Sequence, residues 1–170
     1  MKIKITLVTI VLAFCSCDNP KEKIEENTFV EKEEQTLEAE KESVAQLKEN
    51  LTNDGYQIFD YVDEKTGDTV LMQQYFIAFL KRGTNRSQNK KEADSLQKLH
   101  LAHLGSMYEK GFADISGPFG DDGDIRGITI YNVPTQKMAD SLANMDPMVK
   151  AGRLAIEIHP WWAAKGFMLR

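Results

Sequence analysis

Cysteine is nearly absent. The 170-residue chain has two, Cys15 and Cys17, both within its first seventeen residues. No internal disulfide is then available to the remainder, which must be held by its core alone. The apolar run at residues 5–14 is too short to span a bilayer comfortably as a mature helix. There is no nucleophile elbow, Gly-rich phosphate loop or CxxC pair, and nothing calls for a cofactor. A basic cluster is missing as well. Residues 18–50 carry 11 acidic and 5 basic side chains, a net −6, whereas residues 51–170 carry 15 and 14, a net −1. The acidity belongs to a tether, and a near-neutral domain argues against nucleic acid as a partner.

What is present at the start is informative. Lys2 and Lys4 form a basic n-region, followed by the apolar run and then small residues with cysteine, the order of a secretory signal. Phe14-Cys15-Ser16-Cys17 resembles a bacterial lipoprotein signal, in which a small residue precedes the cysteine that is lipidated. Cys17 follows Ser16 and fits better than Cys15, which follows the bulky Phe14; Phe14 also stands where leucine is usual, so the choice between the two cysteines stays open. The expectation is a lipoprotein signal peptide at residues 1–17 and a solvated acidic linker at 18–35. A lipid anchor on Cys17 would then hold the protein in the cell envelope, on the periplasmic or outer-membrane side. An ordinary signal peptide or an uncleaved anchor is the alternative.

Beyond the linker, Leu37, Val44, Leu47 and Leu51 share one helical stripe, which predicts an amphipathic helix over 36–53 stopped by Asn53-Asp54-Gly55. Residues 56–62 and 69–80 read as strands around a turn, and the apolar run 75–80 predicts a strand buried on both faces near the middle of a sheet. A polar, basic loop, "KRGTNRSQN", follows. From 90 to 110 the spacing of Ala93, Leu96, Leu99, His100, His103, Leu104, Met107 and Tyr108 predicts a helix ended by Gly111. Then come a short strand at 112–116 turned by Gly117-Pro118, a "GDDGD" loop, and the strand "IRGITIYNV". Thr135 caps a helix containing Met138, Ala139, Leu142 and Met145; Asp146-Pro147 opens a helical turn; and Leu154, Ile156 and Ile158 alternate in a last strand before Pro160. From residue 75 the order is β-α-β-β-α-β. It predicts a ferredoxin-like α+β domain at 71–165, with residues 36–70 as an N-terminal helix and extra strand. The uncovered sheet face would serve as a dimerisation surface.

Three histidines, His100, His103 and His159, are the natural candidates for acid/base chemistry. His100 and His103 stand three apart on one helix, and Asp146 is a plausible carboxylate partner for such a ring. Each also has a purely structural reading. A histidine on an apolar helix face is commonly a satisfied core residue, and Asp146 before Pro147 is accounted for as an N-cap.

"HLAHLGSMYEKG", "ISGPFGDDGDIRG", "NMDPMVKAG" and "IEIHPWW" together resemble the YciI-like, or YCII-related, family over residues 75–162. The resemblance implies a dimeric α-β barrel type of ferredoxin-like fold, a homodimer, and a His–Asp pair falling on His100 and Asp146. It also implies a lyase- or isomerase-like proton transfer on a small organic acid. In that case His100 moves the proton, Asp146 orients the ring, Gly117 and Pro118 shape the pocket, and Arg82 or Arg126 holds a substrate carboxylate. His103 gains nothing from the match and reads as an accessory pocket residue or a surface residue.

The competing reading is a non-catalytic envelope module for ligand binding or assembly, with His100 and Asp146 as a buried structural pair. Metal binding is weaker still, so no metal site is expected. Two histidines fall short of a zinc site, nothing places His159 near them, and "DDGD" lacks the glutamate that closes an EF-hand loop. Trp161 and Trp162 read as packing over a sheet edge or a dimer partner.

Overall fold

A computed structural model describes residues 43–167 and 169 of the chain. The expected signal peptide, Cys17, the acidic linker and Leu37 lie outside the described residues. Ser43 has an extended backbone, and its hydroxyl accepts from the Gln46 amide, so helix α1 begins at that cap and spans Val44–Asn53. Of the expected helix over 36–53, the described part runs from Val44 to Asn53, and residues 36–42 lie outside the described residues. Five strands follow, β1 (Ile58–Val62), β2 (Thr69–Arg82), β3 (Ala113–Pro118), β4 (Ile125–Tyr131) and β5 (Leu154–Ala164), with helices α2 (Lys90–Glu109), α3 (Gln136–Ala143) and α4 (Pro147–Lys150) between them.

The result is a mixed α/β unit built on one antiparallel sheet. β2 is its centre. One edge of β2 pairs with β5 along residues 72–82. The other edge pairs with β1 over residues 69–73 and with β4 over residues 76–81. β3 closes the far side by pairing with β4. The strand order is thus β5-β2-β4-β3, with β1 beside the first half of β2.

Paired residues share a face, which sorts the side chains of β2. Phe76 and Ala78 join Tyr131, Met107, Ala139 and Ala143 in the main core, and Leu80 packs with Met148 and Leu154. Ile77 and Phe79 point the other way and line an open groove, so the expected burial of this strand on both faces applies to only one of them. A strand central by pairing can still have one face without a covering layer.

Other expectations change for local reasons. Gly117-Pro118 does not turn the chain; both residues pair with β4, opposite Ile128 and Gly127, and the turn comes in the loop that follows. β3 is an edge strand, where a missing amide proton is tolerated. Pro160 likewise does not end β5, which continues to Ala164 along the sheet's other edge. Leu99 and Tyr108 are solvent exposed, so the buried stripe of α2 is narrower than the apolar spacing predicted, and Met145, exposed as well, lies past the end of α3.

Candidate active site

Asn89 begins α2 with a reciprocal cap. Its side chain accepts from the Glu92 amide, while the Glu92 carboxylate accepts from the Asn89 amide. From that fixed start, His100 lies on the third turn, on the face turned toward the sheet, and is 8% exposed. Asp146 comes from the opposite direction, at the junction of α3 and α4. Pro147 follows as the first helical residue, and the Asp146 carboxylate caps the turn by accepting from the Met148 amide at 2.8 Å.

That cap leaves the second carboxylate oxygen, Oδ2, free to take another bond, and it lies 2.5 Å from His100 Nδ1. Asp146 is 2% exposed. Burial by itself would raise its pKa. The His100 hydrogen bond, the Met148 amide and the neighbouring imidazoles outweigh that effect and hold the carboxyl below its ordinary value. Asp146 in turn acts on its surroundings: the buried Tyr131 hydroxyl is pushed well above its usual pKa, by burial first and then by the Asp146 charge. An ionised carboxylate bound to Nδ1 fixes the histidine tautomer that keeps a proton there. The opposite nitrogen, Nε2, is then the ring's acceptor. Nε2 makes no hydrogen bond among the described residues.

His100 lines a cleft of about 490 Å³ between α2 and the β3/β4 end of the sheet. Arg82, Gly117, Pro118 and Arg126, each expected from sequence to touch a substrate, line the same cleft, whereas Asp146 sits behind His100 and does not. Arg82 and Arg126 share the Asp122 carboxylate at 3.1 and 2.9 Å. Gly127 forms part of the floor because β3 passes very close to it. A Cβ there would fall 2.5 Å from the Gly117 carbonyl oxygen. The rest of the wall is apolar, with Leu101, Leu104 and Ile128 among its side chains.

Sequence reasoning missed four polar residues of the cleft: Arg86, Arg153, Gln97 and Ser116, whose hydroxyl pairs with that of Thr129. Gln97 had a signal, since it stands one helical turn before His100. The Arg86 signal was the basic character of the loop after β2. Arg153 had none, because its position depends on the β2–β5 register, which sets Arg82 opposite Leu154.

The other two histidines fall elsewhere. His103 is half-buried and outside the cleft lining, not a surface residue. Its Nε2 is buried without a partner, and burial, ahead of smaller effects from nearby charges, pushes its pKa down. The Leu142 backbone of α3 hydrogen-bonds to this ring, and α4 packs on α2 close by, neighbours that sequence periodicity alone did not give. His159 pairs with Ile77 in β5, on the sheet face opposite His100, and its Nε2 donates to Glu157 at 2.8 Å. Among the described residues no group of three His, Cys, Asp or Glu side chains stands close enough to hold a metal ion.

No family model matches the chain, and no curated protein matches it. Among solved structures, it aligns with a 5-chloro-2-hydroxyhydroquinone dehydrochlorinase from Burkholderia phenoliruptrix AC1100, in complex with 2,5-dihydroxybenzoquinone. That alignment has 24% identity and a TM-score of 0.38, and it covers 51% of this chain and 92% of the other.

Proposed function

We propose that this protein is a small-molecule enzyme of the YCII-related kind. In this reading it carries a ferredoxin-like domain and transfers a proton to or from a small organic acid, in a lyase- or isomerase-like reaction. The observation that carries the reading is the division of labour between His100 and Asp146. The carboxylate is buried, ionised and bonded to Nδ1, while the imidazole alone reaches the cleft. That is the arrangement of a general acid/base whose partner sets its tautomer and stabilises the imidazolium formed during turnover. Arg82 and Arg126 supply positive charge where a substrate carboxylate would lie, and Gly117 and Pro118 line the same cleft. The β5-β2-β4-β3 order, with α2 and α3 as crossovers, supports the ferredoxin-like assignment. The reading needs no cofactor.

The same reading places the protein in the cell envelope as a lipoprotein anchored through Cys17, and makes it a homodimer through the uncovered sheet face. No helix among the described residues is long and apolar enough to cross a membrane. Attachment in this reading is through the lipid on Cys17.

One observation favours the non-catalytic alternative. Asp146 already has a structural task as the cap of α4, and its bond to His100 could be an extension of that task. The test is deuterium exchange from D2O into carbon-acid substrates, followed by NMR with 2-keto acids and halogenated hydroxy acids as probes. Exchange by the full chain that His100→Asn abolishes, with circular dichroism unchanged, is the expected outcome. Exchange that persists in His100→Asn refutes the enzyme reading, as does an inert wild-type chain.

A further inference from the structure

The cleft beside His100 carries more positive charge than one carboxylate requires. Four arginines line it, at the ends of three different strands and in the loop after β2. Arg82 and Arg126 form one pair, tied together by Asp122, which neutralises a single charge of the two. Arg86 and Arg153 form a second group on the β5 side. Arg153 donates to the neutral Gln88 side chain at 3.2 Å, and Arg86 has no hydrogen-bonding or ionic partner among the described residues. This second group therefore has no carboxylate of its own among those residues.

The backbone explains why these two arginines converge. Gly83 and Asn85 donate to the Arg153 and Gly152 carbonyls at 3.0 Å each, stitching the loop after β2 to the turn before β5. A Cβ on Gly83 would fall 2.2 Å from the Gly152 carbonyl, so the approach depends on the absence of a side chain. Partial desolvation, and then the charges of Arg153, Arg82 and Arg126, press the Arg86 guanidinium below its ordinary pKa. Arg126 on β4 and Arg153 at the start of β5 flank β2, so these two arginines start about 10 Å apart, twice the usual strand spacing, with Arg82 on β2 between them.

We infer that the cleft takes a small organic dianion, with one acidic group held by Arg82 and Arg126, the second by Arg86 and Arg153, and the carbon chain between them passing His100. This deepens the proton-transfer reading by naming its substrate class, and rests on that reading only for the role of His100. Two separated cationic groups suit two carboxylates joined by a short chain better than one compact phosphate. Guanidinium forks pair with carboxylates in two parallel bonds, so each group would orient its end of the ligand as well as attract it. The apolar side chains that line the same cleft, Leu80, Leu101, Leu104 and Ile128 among them, match a hydrocarbon linker.

The test is calorimetric titration of the full chain at fixed ionic strength and pH 7, with adipate, hexanoate and inorganic phosphate as probes. Adipate is expected to bind at least tenfold more tightly than hexanoate. Arg86→Gln should reduce adipate to the level of hexanoate and leave hexanoate itself unchanged; the exposed side chain has no described partner to lose, and circular dichroism checks the fold. Arg153→Gln should act in the same direction. His100→Asn should keep the preference, which separates this inference from the catalytic one. Equal binding of the two organic acids, no saturable adipate binding, a preference that survives Arg86→Gln, or phosphate binding more tightly than adipate would each overturn it. A wild-type chain that shows no deuterium exchange yet keeps the adipate preference would refute the proton-transfer reading and leave the dianion site standing.

Discussion

Asp146 serves two neighbours with two oxygens, so its roles can be separated by chemistry. Asparagine caps a helix about as well as aspartate. In Asp146→Asn the side-chain carbonyl can still accept from the Met148 amide, while its NH2 group faces His100 Nδ1. An NH2 donor at that position forces the ring proton onto Nε2, and the base is lost. The rate of proton transfer should fall by about 10³–10⁴-fold, the scale seen when a histidine is held in the wrong tautomer, while stability falls by about 1 kcal/mol. Asp146→Ala removes the cap as well and should cost a further ~1 kcal/mol. Kinetics and urea unfolding on both variants check this. Equal rates for Asp146→Asn and wild type would reduce Asp146 to a cap.

Acid should destabilise this domain in two stages. The His103 pKa is lowered by burial, so the unfolded chain takes up that proton more readily and stability declines as pH falls below about 6.5. The Asp146 pKa is lowered chiefly by its bond to His100, against the opposing effect of burial. Its contribution is present above about 3.8 and is lost as pH falls through the folded value. His103→Leu should remove the first stage and leave the second. Unfolding midpoints measured between pH 3 and pH 8 would show this, and an unchanged upper stage in the variant would contradict it.

Among the secondary-structure elements, the parts legible in the sequence were those whose causes are local. The caps at Thr135 and Asp146, the stop at Gly111 (φ +72°) and the helix after "KRGTNRSQN" all depend on residues within a turn of one another. Elements whose limits are set by pairing were not legible in the same way. Pro118 and Pro160 read as breaks because proline removes a donor, yet both stay in strands once those strands are at edges of the sheet. His100 and Asp146 could be nominated together through a family resemblance. Arg86 and Arg153 could not, because only the β2–β5 register unites their segments. Gly127 shows the same dependence on pairing. Its substitution by alanine should force β3 away from β4 at the cleft floor and cost about 1–3 kcal/mol, as overpacking does. A urea midpoint within error of wild type would show that the strands can yield at no cost.

At the scale of the whole molecule, the two faces of the sheet differ in how they are completed. One is covered by α2 and α3 and holds the core. The other opens a groove of about 720 Å³ lined by Ile77, Phe79, Ile125 and Trp161, with Lys81, Glu157 and His159 beside them. These charges are of both signs: Lys81 bonds to Glu157 at 3.0 Å, and His159 to the same carboxylate. A face with an apolar centre and both signs of charge is complementary to itself under a two-fold rotation, the commonest symmetry of soluble oligomers. The full chain should therefore sediment as a dimer. Phe79, packed edge-on to the His159 ring at 5.7 Å, is the residue to change, because it faces away from the helix-side core. Phe79→Glu would set a second carboxylate near Glu157 in each copy, at the centre of the expected interface. It should convert the dimer to monomer in equilibrium sedimentation at micromolar concentration, with far-UV circular dichroism preserved. A wild-type chain that is monomeric at the same concentration would remove the dimer from the proposal. A dimer that tolerates Phe79→Glu would move the interface to another surface.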